Sequence, residues 1–366
     1  MIFKKLSFLK QFKNKKVLIT GHTGFKGSWL TYWLVLLGAK VIGLSINIPS
    51  KPSHFHSIKL QKRIIHKKID VRNLNDLKKI FKKHQPDYVF HLAAQALVKK
   101  SYADPIYTWH TNTMGTLNVL ESLKEIKKKC VAVLITSDKS YKNLEIKRGY
   151  HENDIFGGKD PYSASKASAE LVIQSYLSSF FPIQKTKVTI GVARAGNVIG
   201  GGDWSANRLI PDCVRSWSKN KKVLIRNPQS TRPWQHVLET TWGYLLLAGN
   251  LKKNKKFHGE AFNFGPNTKN YKVIFIVQLI KKYWKTISWK VIKKNRKNFY
   301  ESNLLKLNCH KAKTQLKWKC ILSFKETIAM TIDWYKNYYS KSKSISQTSY
   351  QQIKQYEKLI ESRSIQ

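Results

Sequence analysis

The chain has 366 residues, which is long enough for one large domain or two moderate ones with a substantial core. An apolar content of 42% with 12% aromatic residues is typical of a folded protein and excludes disorder along the whole length. The formal net charge of +46 favours an anionic partner, but lysine doublets are spread along the chain without one basic block, which favours a general lysine bias over a nucleic-acid surface.

Short apolar runs alternate with longer amphipathic ones over the first two thirds of the chain. The apolar runs predict five buried strands, which are KVLIT (16–20), KVIGLS (40–45), DYVFHLAA (87–94), VAVLITS (131–137) and KVTIGVARAGN (187–197). Helical patterns lie between them, among them 28–39, 112–129 and the segment that opens at Pro161. This alternation predicts parallel βαβ units and therefore a doubly wound α/β sheet.

No part of the sequence predicts a metal site, a secretion signal or a membrane span. The four cysteines form no CxxC pair, which is typical of a reducing compartment. The basic N-terminal segment lacks an unbroken apolar core, and no stretch reaches the roughly 18 apolar residues that span a bilayer. We therefore expect a soluble, cytoplasmic protein without membrane insertion.

The loop TGHTGFKG (20–27) follows the first strand directly and opens a helix. Its glycines, Gly21, Gly24 and Gly27, have a GxxGxxG spacing. They permit a tight turn, the approach of backbone N–H groups to a pyrophosphate, and close packing of helix on strand. An ordinary turn is the alternative, but the flanking strand and helix favour dinucleotide binding.

Dinucleotide folds that select NAD carry an acid at the end of the second strand, and this chain has none. Ser45 and Asn47 occupy that region, so a preference for NAD over NADP is not encoded there. Asp70, in IDVRN (69–73), follows a third strand and is a candidate to bind the adenine amino group. An N-cap for the following helix is the alternative interpretation of Asp70.

Tyr162 and Lys166 lie four positions apart in YSASK, so both project from one face of a helix. A lysine ammonium beside a phenol is expected to lower the phenol pKa, which suits removal of a proton from a sugar hydroxyl. TSDK (136–139) ends a strand with a hydroxyl, a carboxylate and an amine, at the edge where α/β sheets bind ligands. A capped turn is the alternative there.

Several polar or aromatic residues are candidates to bind an anionic substrate. Asn197 lies in RAGNVIGGGDW (194–204), whose three glycines would let the backbone approach a diphosphate. The arginines are scarce in this chain and suit bidentate contacts with a diphosphate. The candidates are Gln95, Asn197, Arg208, Arg226, Arg232, Trp234 and His236. For Trp234 and His236, core packing is equally consistent with the sequence.

Together, the glycine loop, HLAAQALV, TSDKSY, YSASK and ARAGNVIGGGDW resemble the extended short-chain dehydrogenase/reductase family. Within it, GHTGFKGSWL, RLIPDCVR and RPWQHVLE are similar to the dehydratases that act on CDP-glucose. The resemblance covers about residues 10–340. It implies a Rossmann-like NAD-binding domain at 1–200 with returning segments at about 235–265, a smaller mixed substrate-binding region at 201–340, and a polar peripheral tail at 341–366.

The resemblance also implies a mechanism and its residues. Tyr162, helped by Lys166, would take the 4-hydroxyl proton while hydride passes from C4 to NAD; Asp138 and Lys139 would then eliminate water across C5 and C6, and hydride would return to C6. Ser137 matches the residue beside the 4-hydroxyl. The residues implied to bind NAD are Gly21, Gly24, Phe25, Lys26, Gly27, Asp70, Val71, Leu92, Ala93, Ala94, Thr136, Tyr162 and Lys166.

The same resemblance implies a homodimer that pairs through helices flanking the sheet. Two alternatives to a dehydratase of CDP-glucose stay open at this point. One is another nucleotide-sugar dehydratase or a 4-epimerase on the same fold. The other is a basic protein that kept the fold without catalysis and binds polyanions.

Overall fold

The computed structural model describes residues 6–225, 228–266, 271–292 and 305–363. Its strands are Lys16–Thr20 (β1), Lys40–Ser45 (β2), Ile65–Lys68 (β3), Tyr88–His91 (β4), Cys130–Ile135 (β5), Val188–Ala195 (β6), Val198–Ile199 (β7), Val223–Ile225 (β8), Thr231–Arg232 (β9), Gln235–His236 (β10), Ala261–Phe264 (β11), Tyr271–Lys272 (β12) and Trp289–Val291 (β13). Its α-helices are Phe25–Leu36 (α1), His54–Ser57 (α2), Leu74–His84 (α3), Val98–Ala103 (α4), Pro105–Trp109 (α5), Gly115–Leu123 (α6), Pro161–Ser179 (α7), Leu209–Trp217 (α8), Val237–Lys253 (α9), Val273–Tyr283 (α10), His310–Gln315 (α11), Phe324–Ser340 (α12) and Ile345–Ser362 (α13).

A seven-stranded parallel sheet forms the centre of the molecule, in the order β11-β6-β5-β4-β1-β2-β3. The side chains of β5 alternate between two hydrophobic cores. Val133 and Ile135 belong to the core that contains residues of α1 and α9, and Ala132 and Leu134 to the core with α3, α6 and α7. Helices therefore cover both faces, and the predicted doubly wound fold is confirmed.

The strand order places the ligand-binding edge of the sheet. β1 lies between β2 and β4, so the chain winds outward in opposite directions from this strand. In open α/β sheets the crevice at the carboxyl ends of such strands binds the ligand. The glycine loop follows β1, and the Ser137–Lys139 segment follows β5 at the same edge.

The C-terminal segment differs from the predicted peripheral tail. Residues 345–362 form α13, which buries Ile353, Tyr356 and Ile360 on one face. Many residues on this buried face are polar, so the face does not show as a hydrophobic periodicity in the sequence. Hydrogen bonds satisfy the buried polar groups. The Tyr356 hydroxyl donates to Glu239 at 2.6 Å, and the Trp33 indole donates to Glu357 at 2.9 Å. Within the described ranges, no helix combines the length and the apolar character needed to cross a membrane.

Candidate active site

The glycine loop has no room for side chains at two of its three glycines. Gly21 has a φ of +75°, and a Cβ there would lie 2.6 Å from the Ala93 nitrogen. A Cβ on Gly27 would lie 2.1 Å from the Gly21 carbonyl oxygen. Gly24 is the N-cap residue of α1 and supplies no capping side chain, so the first N–H groups of this helix are available to an anion.

A chain of hydrogen bonds occupies the end of β2, where an acid is missing. The Ser45 hydroxyl lies 3.1 Å from His22 Nδ1, and His22 Nε2 lies 2.7 Å from His66 Nδ1. Burial lowers the pKa of His22 to about 4, so this imidazole is neutral at physiological pH. Sequence reasoning missed both histidines because residues 22 and 66 are brought together by the pairing of β1 with β2 and of β2 with β3.

Asp70 lies at the end of β3 beside an open depression of about 610 Å³. Its carboxylate forms an ion pair with Arg72 at 2.6 Å, and the Arg72 guanidinium lies over the Tyr107 ring at 4.7 Å. Partial burial alone would raise the pKa of Asp70, but the hydrogen bonds from Arg72 outweigh it and lower the pKa. Asn73, and not Asp70, is the N-cap of α3, because its side chain accepts from the Asp76 N–H at 3.1 Å.

The backbone beside Asp70 is held by the neighbouring helix. Val71 is buried, and its carbonyl accepts a hydrogen bond from the Asn118 side chain at 3.0 Å. On the other side of the glycine loop, Leu92–Ala94 follow β4 directly, and the Ala93 N–H donates to the Thr20 hydroxyl at 3.2 Å. These backbone segments thus flank the glycine loop from both sides.

Tyr162, Ser137 and Asp138 lie together at the end of β5. Ser137 lies beside the Tyr162 phenol and acts to lower its pKa, and Ser137 Oγ donates to Asp138 Oδ1 at 3.0 Å. Burial raises the pKa of Asp138, although the charge of Lys139 and the hydrogen bond from Ser137 oppose the change. A raised carboxyl pKa favours the protonated form, which is able to donate a proton.

The expected lowering of the Tyr162 pKa by Lys166 is wrong for this structure. Burial raises the pKa of Tyr162 to about 12, and the groups that oppose this rise are Ser137 and Arg208. Burial also lowers the pKa of Lys166 to about 8, helped by the charge of Lys26 and opposed by Glu170. Loss of hydration at the buried phenol therefore outweighs the groups that lower its pKa.

Two further lysines lie near Ser137 and Asp138. Burial lowers the pKa of Lys26 to about 8, with Arg208 acting in the same direction and Asp138 opposing it. Lys26 thus comes from the glycine loop into the electrostatic environment of the β5 end. Lys139 is only partly buried and lines a narrow cleft with Lys159, Asp160, Ser163, Leu305 and others.

Polar contacts that sequence reasoning missed hold α7 in place. Asp160 caps the helix and accepts from the Ser163 N–H at 3.0 Å. Asn112 lies in a π-helical turn at His110–Met114 and donates to the Ser165 hydroxyl at 2.9 Å. The Asp-Pro start of α7 was a usable cap signal in the sequence, but the partner of Asn112 lies 53 positions away and left no local signal.

Among the residues predicted to contact the substrate, the arginines and Asn197 differ in where they lie. Arg208 acts on the charges of Tyr162 and Lys26 and forms an ion pair with Asp203 at 3.3 Å, so it lies at the candidate site. Asn197 is exposed just beyond the end of β6. Arg226 lies outside the described residues. For Arg232 only the backbone is described, and it pairs with Tyr271.

Gln95 and His236 are engaged inside the protein. The Gln95 amide donates to the Leu97 carbonyl and the Thr108 hydroxyl at 3.1 and 3.0 Å, which uses both of its donors. His236 is fully buried and caps α9, accepting from the Leu238 N–H at 3.3 Å. We do not retain either residue as a substrate contact.

Trp234 is buried in the core that contains α1 and α9. Its indole N–H has no hydrogen-bond partner among the described residues. This placement favours the core-packing interpretation of Trp234 over stacking on a base.

The glycines at 200–202 pack against the protein itself and not against an open cleft. A Cβ on Gly201 would lie 2.0 Å from the Trp334 ring, and one on Gly202 would lie 2.5 Å from His54. Gly200 would meet Val237 at 2.8 Å. The expected approach of a substrate diphosphate to this backbone is therefore not supported, since aromatic and aliphatic side chains already occupy that space.

Comparisons with known proteins show the family and the fold of this chain. A sequence model of the family described as GDP-mannose 4,6 dehydratase matches residues 18–331. The chain is 44% identical over 329 residues to the CDP-glucose 4,6-dehydratase of Salmonella typhimurium, covering 88% of this chain and 91% of that protein. An epimerase structure from Methanothermobacter thermautotrophicus has a TM-score of 0.79 at 26% identity, over 92% of this chain and 97% of that one. A dTDP-glucose 4,6-dehydratase structure from Streptomyces venezuelae, solved with NAD bound, has a similar fold, with a TM-score of 0.74 at 20% identity over 90% of this chain and 99% of that one.

Proposed function

This chain belongs to the family described as GDP-mannose 4,6-dehydratase, and from that premise we propose that it converts CDP-glucose to CDP-4-keto-6-deoxyglucose. The observation that carries the proposal is the grouping of Tyr162, Ser137 and Asp138 beside the glycine loop, in a protein 44% identical to a CDP-glucose 4,6-dehydratase. The reaction is a dehydration with no net change of redox state. We therefore assign the protein as an NAD-dependent hydro-lyase.

The residues around the glycine loop fit NAD as a retained cofactor. The positive φ of Gly21 and the closed space at Gly27 shape a cradle whose open side is the N terminus of α1, where the N–H groups suit a diphosphate. Phe25 and Lys26 lie in the first turn of that helix, and Asp70 and Val71, beyond the end of β3, would hold the adenine. Bound NAD supplies a carrier that accepts a hydride from the sugar and returns it.

The backbone at Leu92–Ala94 and Thr136 completes the proposed cofactor site on the nicotinamide side. The Thr136 side chain does not face this site, because its hydroxyl donates to Glu170 Oε1 at 2.5 Å. Its contribution is therefore through the backbone at the end of β5. These two segments would hold NAD between them, because the sheet places the ends of β4 and β5 side by side.

Tyr162 and Asp138 have complementary proton roles in this proposal. Tyr162 removes the 4-hydroxyl proton, with Ser137 beside its phenol and Lys166 one helical turn further along α7. The resulting ketone at C4 makes the hydrogen at C5 acidic. Asp138, whose pKa burial raises, donates to the departing 6-hydroxyl, and Lys139 removes the C5 proton or stabilises the charge that forms.

The elimination roles are tested by changing Lys139→Met. We expect slow oxidation at C4 to continue while loss of water stops, because the methionine cannot take the C5 proton. The measurement is product formation followed by the alkaline absorbance of a 4-keto-6-deoxy sugar, with CDP-, dTDP- and GDP-sugars compared. Unchanged product formation would refute the role of Lys139, and a preference for another nucleotide would refute the substrate.

We further propose a homodimer, which an apolar surface on adjacent helices supports. Ile106, on α5, is 70% exposed, and Leu171, on α7, is 55% exposed, while Trp109 and Met114 are also partly exposed. Such a patch suits a second copy of the chain. Replacing both Ile106 and Leu171 with lysine should give a monomer in sedimentation velocity, and an unchanged sedimentation coefficient would contradict this surface.

We also propose a cytoplasmic location and a place in deoxysugar biosynthesis, including that of lipopolysaccharide O-antigen. The proposed product supports this, because a 4-keto-6-deoxy sugar nucleotide is an intermediate and not an end product. Fractionation of cells that express the protein tests the location. Recovery of the protein in the membrane or secreted fraction would contradict it.

A further inference from the structure

A buried carboxylate on α7 joins the helix of Tyr162 to two strands of the sheet. Glu170 lies one helical turn after Lys166 and is 1% exposed. It accepts from Thr136 Oγ1 at 2.5 Å and forms an ion pair with Arg194 at 2.7 Å. Thr136 follows β5 directly, and Arg194 belongs to β6, so three elements meet at one carboxylate.

Four of the five N–H donors of Arg194 have a partner in this cluster. Arg194 Nε and Nη2 donate hydrogen bonds to the two carboxylate oxygens of Glu170 at 2.7 and 3.0 Å. Its Nη1 donates to the Tyr141 hydroxyl at 2.8 Å and to the Glu152 carbonyl at 2.6 Å. The bidentate geometry fixes the orientation of the Glu170 carboxylate, and therefore the position of the oxygen that accepts the hydrogen bond from Thr136.

Stability alone does not explain such a pair. Removing two charges from water is costly, and well-packed apolar residues often replace a buried ion pair without loss of stability. What an apolar replacement lacks is directionality, because van der Waals contacts do not fix the angle between a strand end and a helix as a hydrogen bond does. The cluster lies directly behind the segment that begins at Ser137.

We propose that Glu170 is a positioning residue, which through Thr136 holds the Ser137–Asp138 end of β5 at a fixed distance from Tyr162 on α7. The inference rests on the proposed function for its catalytic consequence. Glu170 also has an electrostatic effect, because its carboxylate raises the pKa of Lys166 against the lowering by burial and by Lys26.

The first test removes only the hydroxyl that reaches Glu170, with Thr136→Val. We expect kcat for CDP-glucose to fall by about tenfold to a hundredfold with little change in KM, because reacting groups are displaced and binding contacts are kept. Thr136→Ser keeps the hydroxyl and should restore most of the rate. Thr189→Val is the matched control, since Thr189 is a buried threonine on β6 whose hydroxyl bonds the Cys130 carbonyl.

Hydrogen exchange provides a readout that does not depend on turnover. Thr136→Val should speed amide exchange in the first turns of α7 severalfold more than Thr189→Val does. Equal kcat values and equal exchange in the two valine variants would overturn the inference. If the wild type gives no product with CDP-glucose, the proposed function fails, and the exchange comparison still decides the positioning role.

The second test removes the charge and keeps the shape, with Glu170→Gln. Lys166 must be protonated to act as a cation, so kcat is lost as pH rises through its pKa. Without the carboxylate this alkaline limb should move to lower pH, whereas Thr136→Val should leave it in place. A limb that moves equally in both variants, or in neither, would contradict the assignment even if Glu170→Gln lowers the melting temperature.

Discussion

Lys166 is buried by the fold, which makes its protonated form unfavourable. Its replacement by an uncharged residue should therefore stabilise the protein most at a pH at which the folded wild type keeps this proton. Lys166 is 5% exposed, and burial lowers the pKa of its ammonium from 10.5 to about 8. The change is Lys166→Met, which keeps the length of the side chain and removes the charge. Activity should be lost, and stability is the quantity of interest.

The sign follows from proton binding. The unfolded chain keeps the Lys166 proton up to about pH 10.5, and the folded chain releases it at about pH 8. Between these values the unfolded state binds more protons, so the free energy of unfolding of the wild type rises with pH. From about pH 7 to about pH 9.5 this rise amounts to about 2 kcal/mol for one lysine, and Lys166→Met lacks it.

Urea unfolding at both pH values measures this difference. The gain in stability of Lys166→Met over the wild type should be largest at the lower pH and shrink by about 2 kcal/mol at the higher one. Lys129→Met, at an exposed position, is the matched control. A stability difference for Lys166→Met that is as independent of pH as that of the control would refute the reasoning.

Two glycine substitutions test the packing of the loops. Gly27→Ala should lower the free energy of unfolding by about 1–3 kcal/mol, measured with urea, and weaken NAD binding, because the added Cβ overlaps the Gly21 carbonyl oxygen. Gly24→Ala should lower it less, because its Cβ would lie 3.3 Å from the same oxygen. Equal costs would contradict the cradle described above. Gly201→Ala should cost a similar amount by displacing Trp334, with KM for CDP-glucose unchanged, and a raised KM without loss of stability would restore that glycine to the substrate site.

The framework of the fold is well predicted from sequence because it depends on local patterns. Each predicted run, from KVLIT to KVTIGVARAGN, contains a strand of the sheet, since a strand buried on both faces reads as a continuous apolar stretch. The C-terminal helix was missed for the converse reason. Its buried face includes Ser349, Gln352 and Glu357. Burial of these polar residues is favourable because they have hydrogen-bond partners elsewhere in the chain, which the local sequence does not show.

The candidate site divides in a similar way. Tyr162, Ser137 and Asp138 were found because strand ends and helix starts have sequence signals, and the fold brings these ends together. The Glu170–Arg194 pair joins residues 24 positions apart and has no motif. The direction of the Tyr162 pKa was wrong because spacing on a helix shows which charges are near but not how far the fold removes them from water.

The central claim is that Tyr162 and NAD act on one sugar, whose hydride leaves C4 and returns to C6 of the same molecule. CDP-glucose carrying deuterium at C4 tests it most directly, with the product analysed by mass spectrometry and NMR. We expect the deuterium at C6 of a 4-keto-6-deoxy product, and no product from Tyr162→Phe. Deuterium lost to solvent or retained at C4, or an undiminished rate in Tyr162→Phe, would contradict the account.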